Sequence, residues 1–375
     1  MIKMDKLRKT QILSDSAQFD LCDSKNKQKK SQVNLPGIYP ATGANGCTIP
    51  LFKTLLTNKC NNDCKYCINC SKRNFTRLEL SPRELSRVFL NYYNKAYVNG
   101  LFLSSGVNHS IDETMENLID TCNILRKDYG YQDYIHLKII PGASKDQIKR
   151  AMELADRVSI NIEAASPSGL AELSSTKDYN KDILKRLYWI NKIAKRNKNL
   201  CPSGATTQLI VGANNETDDE ILKRMESIYK KTDLRRTYFS GFIPINGTEL
   251  EKNKECNLKR TNQLYHADAL LNDYHFKTKE MVFDEDGNLS LDEDPKILAA
   301  KKMEIFPLEI NKANYHDLIR VPGIGTKSAR EIINIRRKKP FNNLDDLKRL
   351  GVVTKRAEPY IKLEGEYQNS LDNYL

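Results

Sequence analysis

The sequence predicts an α/β fold, a partial (β/α)6 TIM-like barrel followed by a small all-α domain. Three observations predict it. Six short apolar segments recur between residues 51 and 243, each separated from the next by a stretch with helical periodicity. Such alternation gives parallel strands joined by crossover helices. After about residue 245 the alternation stops, and glycine turns between helical patterns take over from 306 to 363. Finally, four of the nine cysteines crowd between Cys60 and Cys70, directly after the first strand. In barrels of this kind the chemistry sits at the C-terminal ends of the strands.

The strands are expected at 51–57, 101–105, 135–140, 157–163, 205–211 and 235–243. The first helix opens at Ser81-Pro82, an N-cap followed by a proline that has no N–H to waste. Further helices are expected at 114–127, 144–154, 179–198 and 218–231, with Glu216 to Asp219 supplying acidic residues and a cap for the last. Residues 1–46 read as a polar N-terminal extension, irregular after one helix, with four lysines between Lys25 and Lys30. The organisation is then 47–245 for the core, 246–305 for a connecting helical and loop region, 306–363 for the all-α domain and 364–375 for a tail. The acidic run Asp284-Glu285-Asp286-Gly287 lacks the remaining ligands of a calcium loop and reads as a turn.

The chain has 375 residues, 39% of them hydrophobic, with a net charge of +12. Its pI is near 9.1 and its mean hydropathy is −0.60. No apolar run approaches the roughly 20 residues of a membrane span, and no secretory signal is visible. A cytoplasmic protein without a membrane role is expected. The basic balance favours a polyanionic partner. An odd cysteine count in such a chain argues against a disulfide framework.

The cysteines follow the pattern Cys60-x3-Cys64-x2-Cys67, with Tyr66 before the last. Thiolates suit iron–sulfur or zinc sites. A structural zinc site needs a second ligand pair, which the sequence lacks. Three closely spaced thiolates suit three irons of a cubane, leaving one iron open. Cys70 offers the alternative of a fully ligated cluster. The spacing resembles the radical S-adenosylmethionine superfamily. That resemblance implies a [4Fe–4S] cluster on Cys60, Cys64 and Cys67 that binds S-adenosylmethionine and cleaves it to a 5′-deoxyadenosyl radical. It also implies an electron donor such as flavodoxin or ferredoxin.

By the same resemblance, Tyr66 lies near the adenine, and Ser104-Ser105-Gly106 at a strand end holds the amino group of the cofactor. Asn161 and Glu163 are expected near its ribose or carboxylate, and Gly212 near the adenine. Lys138 is expected to face the barrel lumen as a positive charge. No catalytic residue is assigned.

Near the C-terminus, Val321-Pro322-Gly323-Ile324-Gly325-Thr326-Lys327-Ser328-Ala329-Arg330 resembles the helix-hairpin-helix motif. Pro322 stops a first helix, Gly323 and Gly325 permit a tight turn, and a second helix presents free N–H groups to an anion. Lys327, Ser328 and Arg330 complete a phosphate site, so DNA backbone contact is expected. Residues 347–357 look like a second, degenerate copy that lacks the first proline and glycine.

As a whole, the chain resembles a family of bacterial and archaeal radical S-adenosylmethionine proteins assigned to DNA modification or repair. The stretches that carry it include Gly100 to Gly106, Tyr134 to Ala143, Gln208 to Ala213 and Val321 to Gly325. The resemblance implies an enzyme that repairs or modifies a nucleotide in DNA, with a uracil-glycosylase-like protein as partner. The alternatives are an enzyme modifying tRNA or another RNA, and a non-catalytic iron–sulfur protein that binds DNA or senses redox state. An iron–sulfur DNA glycosylase fits poorly, because its cysteines would follow the hairpin.

Overall fold

A computed structural model describes residues 2–20, 35–42, 47–363 and 366–367. Cys22, the Lys25–Lys30 run and most of the expected tail lie outside the described residues. Two compact units make up the chain. Unit 1 comprises Met1–Glu216 and Ser227–Asn257, and unit 2 comprises Thr217–Glu226 and Leu258–Leu375.

Unit 1 begins with α1 (Ile2–Ser16), then β1 (Ile38–Thr42) and β2 (Thr48–Leu55). The alternation follows: α2 (Pro82–Asn94), β3 (Gly100–Ser104), α3 (Ile111–Asn123), β4 (Tyr134–Lys138), α4 (Lys145–Leu154) and β5 (Arg157–Ser159). It continues through α5 (Pro167–Leu173), α6 (Lys185–Arg196), β6 (Ala205–Val211), α7 (Asp218–Lys231), whose residues up to Glu226 are assigned to unit 2, and β7 (Arg236–Gly241). The sheet is 7-stranded, in the order β1 to β7. All six expected strands are there and pair in parallel, register by register. They form a curled half-barrel. The seventh strand, β1, pairs antiparallel with β2 and carries Pro40, which suits an edge. It falls in the segment expected to be irregular.

The strands read as continuous apolar runs because both faces are covered. Every residue of β3 is buried. Outside the curl, α2 packs on α3, α3 on α4 and α4 on α6. Phe52 and Phe89 are fully buried and tilted against each other at 6.1 Å; burying each such ring is worth about 1.5–3 kcal/mol. The helix starts behave as their sequences dictate. Ser81 and Glu84 form a reciprocal capping box on α2, and Ser144 and Gln147 form another on α4. Thr217 and Glu220 do the same for α7. Glu216, expected to cap α7, instead turns back to the N-terminus of α5. Its carboxylate accepts from the Ala165 and Ser166 N–H groups at 2.8–2.9 Å.

Unit 2 holds α8 (Leu258–Asn272), α9 (Pro295–Lys302), α10 (Tyr315–Leu318), α11 (Thr326–Arg336), α12 (Leu344–Arg349) and α13 (Thr354–Ala357). A small sheet of β8 (Leu308–Glu309), β9 (Ile361–Leu363) and β10 (Glu366–Tyr367) edges these helices. Leu318, Val321, Ile324, Ile332, Leu347 and Val352 share one core. The two hairpins are joined directly, since the Val353 N–H donates to the Gly323 carbonyl at 3.0 Å. A Cβ at Gly323 would stand 2.4 Å from the Val353 carbonyl oxygen, and φ there is +85°. Gly351 takes the matching +78°. The glycine missing from the second turn is therefore the one equivalent to Gly325, where the second copy has Val353. Among the described residues, no helix is long and apolar enough to cross a membrane.

Candidate functional site

A cavity opens in unit 1 at the C-terminal ends of the strands. Its lining includes Cys60, Cys64, Tyr66, Cys67, Ser104, Ser105, Gly106, Asn161 and Glu163. These are the expected cluster and cofactor residues, brought together from the loop after β2 and the ends of β3 and β5. Cys70 is buried and is not part of the lining. Gly212 is not part of it either; its φ of +83° seats it against Cys256, whose Cβ would be 3.2 Å from a Cβ at this position.

The cysteine loop is built to a defined shape. Arg77 donates to the carbonyls of Asn58, Cys70 and Arg73 at 2.6–3.1 Å and stacks on Phe75. One guanidinium with five N–H donors can thus gather an otherwise irregular loop. Backbone N–H groups already point at two of the sulfurs, Val107 at Cys60 and Asn69 at Cys67, each at 3.4 Å. Gly106 explains itself: a Cβ there would lie 2.3 Å from the Lys59 carbonyl oxygen. Only glycine lets the end of β3 pass this close to the loop.

Burial pushes the thiols of Cys64 and Cys67 up, and each also feels neighbouring thiol groups. Lys177 opposes the rise at both. Among the described residues, no three His, Cys, Asp or Glu side chains converge on a single metal ion. A cubane makes no such demand, because each thiolate takes a different iron. Three soft thiolates lining one cavity are a donor set that suits the irons of a cluster.

Glu163 carries the clearest sign of a missing ligand. Its φ is +63°, rare for a side chain of this kind. This bend, costing about 1–3 kcal/mol, turns the carboxylate into the cavity. Oε1 accepts from the Lys177 Nζ at 3.2 Å. Oε2 is buried and has no hydrogen-bond partner among the described residues. A buried carboxylate oxygen without a donor is costly, and a ligand hydroxyl or amino group would satisfy it. The Tyr66 hydroxyl lies within hydrogen-bonding reach of the same carboxylate; burial first, then the Glu163 charge, the neighbouring thiols and that hydrogen bond push its pKa up.

Three further residues were not legible in the sequence. Lys177 has a raised pKa: burial lowers it, but Cys64 and Glu163 more than offset that. Asp63 accepts from Ser174, Ser175 and Thr176. Burial pushes its carboxyl up, and those hydrogen bonds outweigh it and hold the group well below the usual range. Asp20 pairs with Lys138 at 2.9 Å, which also donates to the Asn161 Oδ1 at 2.6 Å. The lumen charge expected at Lys138 is there, and its partners are Asp20 and Asn161. Pairs separated by 118 and 111 positions leave no local signal in a sequence.

In unit 2, α11 begins at Gly325 with no side-chain cap, so its first N–H groups lack intrahelical partners. Lys327 is 90% exposed, and Arg330 is exposed with its guanidinium 5.9 Å from the Tyr315 ring centroid. Pro322 is buried in the turn. Ser328 departs from expectation. Its hydroxyl is buried and donates to the Leu350 carbonyl at 2.8 Å. That side chain ties the two hairpins together and has no free hydrogen for a phosphate.

Residues 54–228 match the radical SAM superfamily, and residues 306–357 match the helix-hairpin-helix motif. No curated protein matches the chain. Among solved structures, it is similar to HydG, a maturase of the [FeFe]-hydrogenase, at 10% identity and a TM-score of 0.48, over 59% of this chain and 50% of that one. It is similar to methylornithine synthase (PylB) at 16% identity and a TM-score of 0.47, over 60% of this chain and 62% of the other. A third is the radical S-adenosylmethionine methyltransferase TsrM from Kitasatospora setae, at 9% identity and a TM-score of 0.42, over 54% and 39%. The chain spans about half the length of the first of these.

Proposed function

We propose, from the premise that residues 54–228 are a radical SAM domain, that this protein is an enzyme that cleaves S-adenosylmethionine reductively and acts on a nucleotide of DNA. One observation carries the reading: Cys60, Cys64 and Cys67 line a single cavity together with Glu163, whose Oε2 has no hydrogen-bond partner among the described residues, while Cys70 does not line it. Cys60, Cys64 and Cys67 would hold a [4Fe–4S] cluster and would leave one iron for the cofactor. When bound, the cluster supplies the electron that splits S-adenosylmethionine into methionine and a hydrogen-abstracting 5′-deoxyadenosyl radical.

The residues of the chain hold and orient. Glu163 would accept from a cofactor hydroxyl through Oε2. Lys177 would offer its ammonium to a carboxylate. The small side chains of Ser104, Ser105 and Gly106 let the cofactor approach the backbone. Tyr66, Ile210 and Phe242 bring apolar surface to the same cavity, which suits a nucleobase. The helix-hairpin-helix motif and the net charge of +12 support a DNA substrate. The N-terminus of α11, with Lys327 and Arg330, would hold a phosphodiester without reading sequence. A base within a duplex would have to leave the stack to meet the radical.

The test is 5′-deoxyadenosine formation. Protein reconstituted without oxygen is mixed with reductant and S-adenosylmethionine, with and without duplex DNA, and the product is quantified by mass spectrometry. Product is expected from the wild type and from Cys70→Ala, none from Cys60→Ala, and more when DNA is present. No product despite a loaded cluster sinks the enzymatic reading. Product indifferent to DNA sinks the DNA substrate alone.

A further inference from the structure

The loop between Cys60 and Cys64 contains a carboxylate that no ligand role requires. Asp63 spends it on a segment 111 or more positions away. Its Oδ1 accepts from the Ser174 Oγ at 2.7 Å, the Ser175 N–H at 3.0 Å and the Thr176 Oγ1 at 3.1 Å. Its Oδ2 accepts from the Ser175 N–H at 3.2 Å and from the Ser175 hydroxyl. Two more contacts join the same partners. The Lys65 N–H donates to the Leu173 carbonyl at 2.9 Å, and the Cys64 Sγ lies 3.8 Å from the Ser174 Oγ. The residue that follows this segment is Lys177, whose ammonium reaches Glu163 at 3.2 Å and lines the cavity beside the cysteines.

We propose that Asp63 is a positioning residue: it staples residues 174–176 to the cysteine loop and so fixes the Lys177 ammonium at the edge of the cofactor cavity. The inference rests on the reading of that cavity as a site for a cluster and S-adenosylmethionine. Its chemical logic is the count of acceptors. An ionised carboxylate accepts at both oxygens and donates nothing. The segment offers it the Ser174 and Ser175 hydroxyls and the Ser175 N–H as donors, and a share of the Thr176 hydroxyl, whose one hydrogen also reaches the Asn62 Oδ1 at 3.2 Å. An asparagine of the same size would turn an NH2 group toward one set of them and break half of the staple. Lysine is a flexible four-carbon stem with a compact charge, so its position depends on what holds its backbone. Outer partners that orient the ligands of a metal site are typically worth about tenfold to a hundredfold in affinity or activity, and the same scale is expected for this partner of the site.

The experiment compares the full-length reconstituted wild type with Asp63→Asn, Ser175→Ala, Lys177→Met and the double variant Asp63→Asn/Lys177→Met. Iron and sulfide content reports cluster loading. The change that S-adenosylmethionine makes in the electron paramagnetic resonance spectrum of the reduced cluster, followed as a titration, gives the Kd of the cofactor. Asp63→Asn is expected to load its cluster normally and to bind S-adenosylmethionine about tenfold to a hundredfold more weakly. Ser175→Ala should shift the same way by less. The double variant should be no weaker than Lys177→Met alone, because the aspartate acts through the lysine. A wild-type Kd in Asp63→Asn overturns the proposal, as does an additive loss in the double variant. If Asp63→Asn cannot load a cluster, Ser175→Ala decides: a weakened Kd supports the staple and an unchanged one refutes it. A wild type that loads a cluster yet shows no response to S-adenosylmethionine refutes the cofactor reading itself. That failure is visible without any variant.

Discussion

At the scale of single residues, the site is made by side chains whose identity follows from one contact each. Gly106 is the plainest. Its hydrogen faces the Lys59 carbonyl where a Cβ would sit at 2.3 Å, and the obstacle is backbone that cannot swing away. Gly106→Ala is expected to displace either the end of β3 or the cysteine loop, at a cost of about 1–3 kcal/mol. Thermal unfolding and iron content after reconstitution check this; a variant with wild-type Tm and iron content would contradict it. Glu163 shows the converse, a residue held in a strained backbone with its carboxylate in the cavity lining. The sequence made Glu163 a candidate through its alternation with Asn161, but the unsatisfied Oε2 is visible only in three dimensions.

Among elements, the hairpin pair of unit 2 shows how helices are locked by what lies between them. The Gly323 carbonyl, the Ser328 hydroxyl and Lys296 of α9 all close on the turn regions. Lys296 donates to the Ile324 carbonyl at 2.7 Å and lies over the Tyr274 ring at 4.4 Å. Burial pushes its pKa down from 10.5 to about 7; Asp294 pulls it up, and Arg356 adds to the fall. The folded chain therefore releases this proton near pH 7 and the unfolded chain near 10.5. Unfolding takes up a proton between those values, so unit 2 gains stability as pH rises through that window. The gain is at most about 1.4 kcal/mol per pH unit. Chemical denaturation at pH 7 and pH 9 should show a larger gain in the wild type than in Lys296→Met. Equal gains would mean that Lys296 titrates normally. Elements were the most legible scale in the sequence. All six parallel strands, and the helices between them other than α5, lie where periodicity puts them, because strands buried on both faces and amphipathic helices write their periods directly into composition. Helix α5 and strand β1 escaped: α5 is only seven residues long, and β1 is an edge strand with little apolar signal.

For the whole molecule, the question is what the basic charge is for. If DNA is the substrate, Lys327 neutralises one phosphate, and its counterion is released on binding. Lys327→Ala should weaken binding evenly across duplex sequences and reduce the slope of log K against log salt by about 1. Fluorescence anisotropy over a salt series measures it. The same variant should lower 5′-deoxyadenosine formation with DNA and leave the DNA-free rate unchanged. An unaltered salt slope would remove Lys327 from the interface and point to the hairpins as a protein-binding unit.

What the sequence determined by itself was the list of parts. The strand and helix periods, the Cys60-x3-Cys64-x2-Cys67 spacing and the glycine turns of the hairpins are local patterns, and local patterns survive in a linear text. What only the tertiary structure decided was which parts meet. The staple from Asp63 to Ser174, the pairing of Asp20 with Lys138, the turn of Glu216 back to α5 and the diversion of Ser328 to Leu350 all join residues 22 or more positions apart, and Cys70, though a near neighbour of Cys67 in sequence, does not line the cavity. Such contacts depend on where the strands place their ends, and no period or spacing along the chain encodes that.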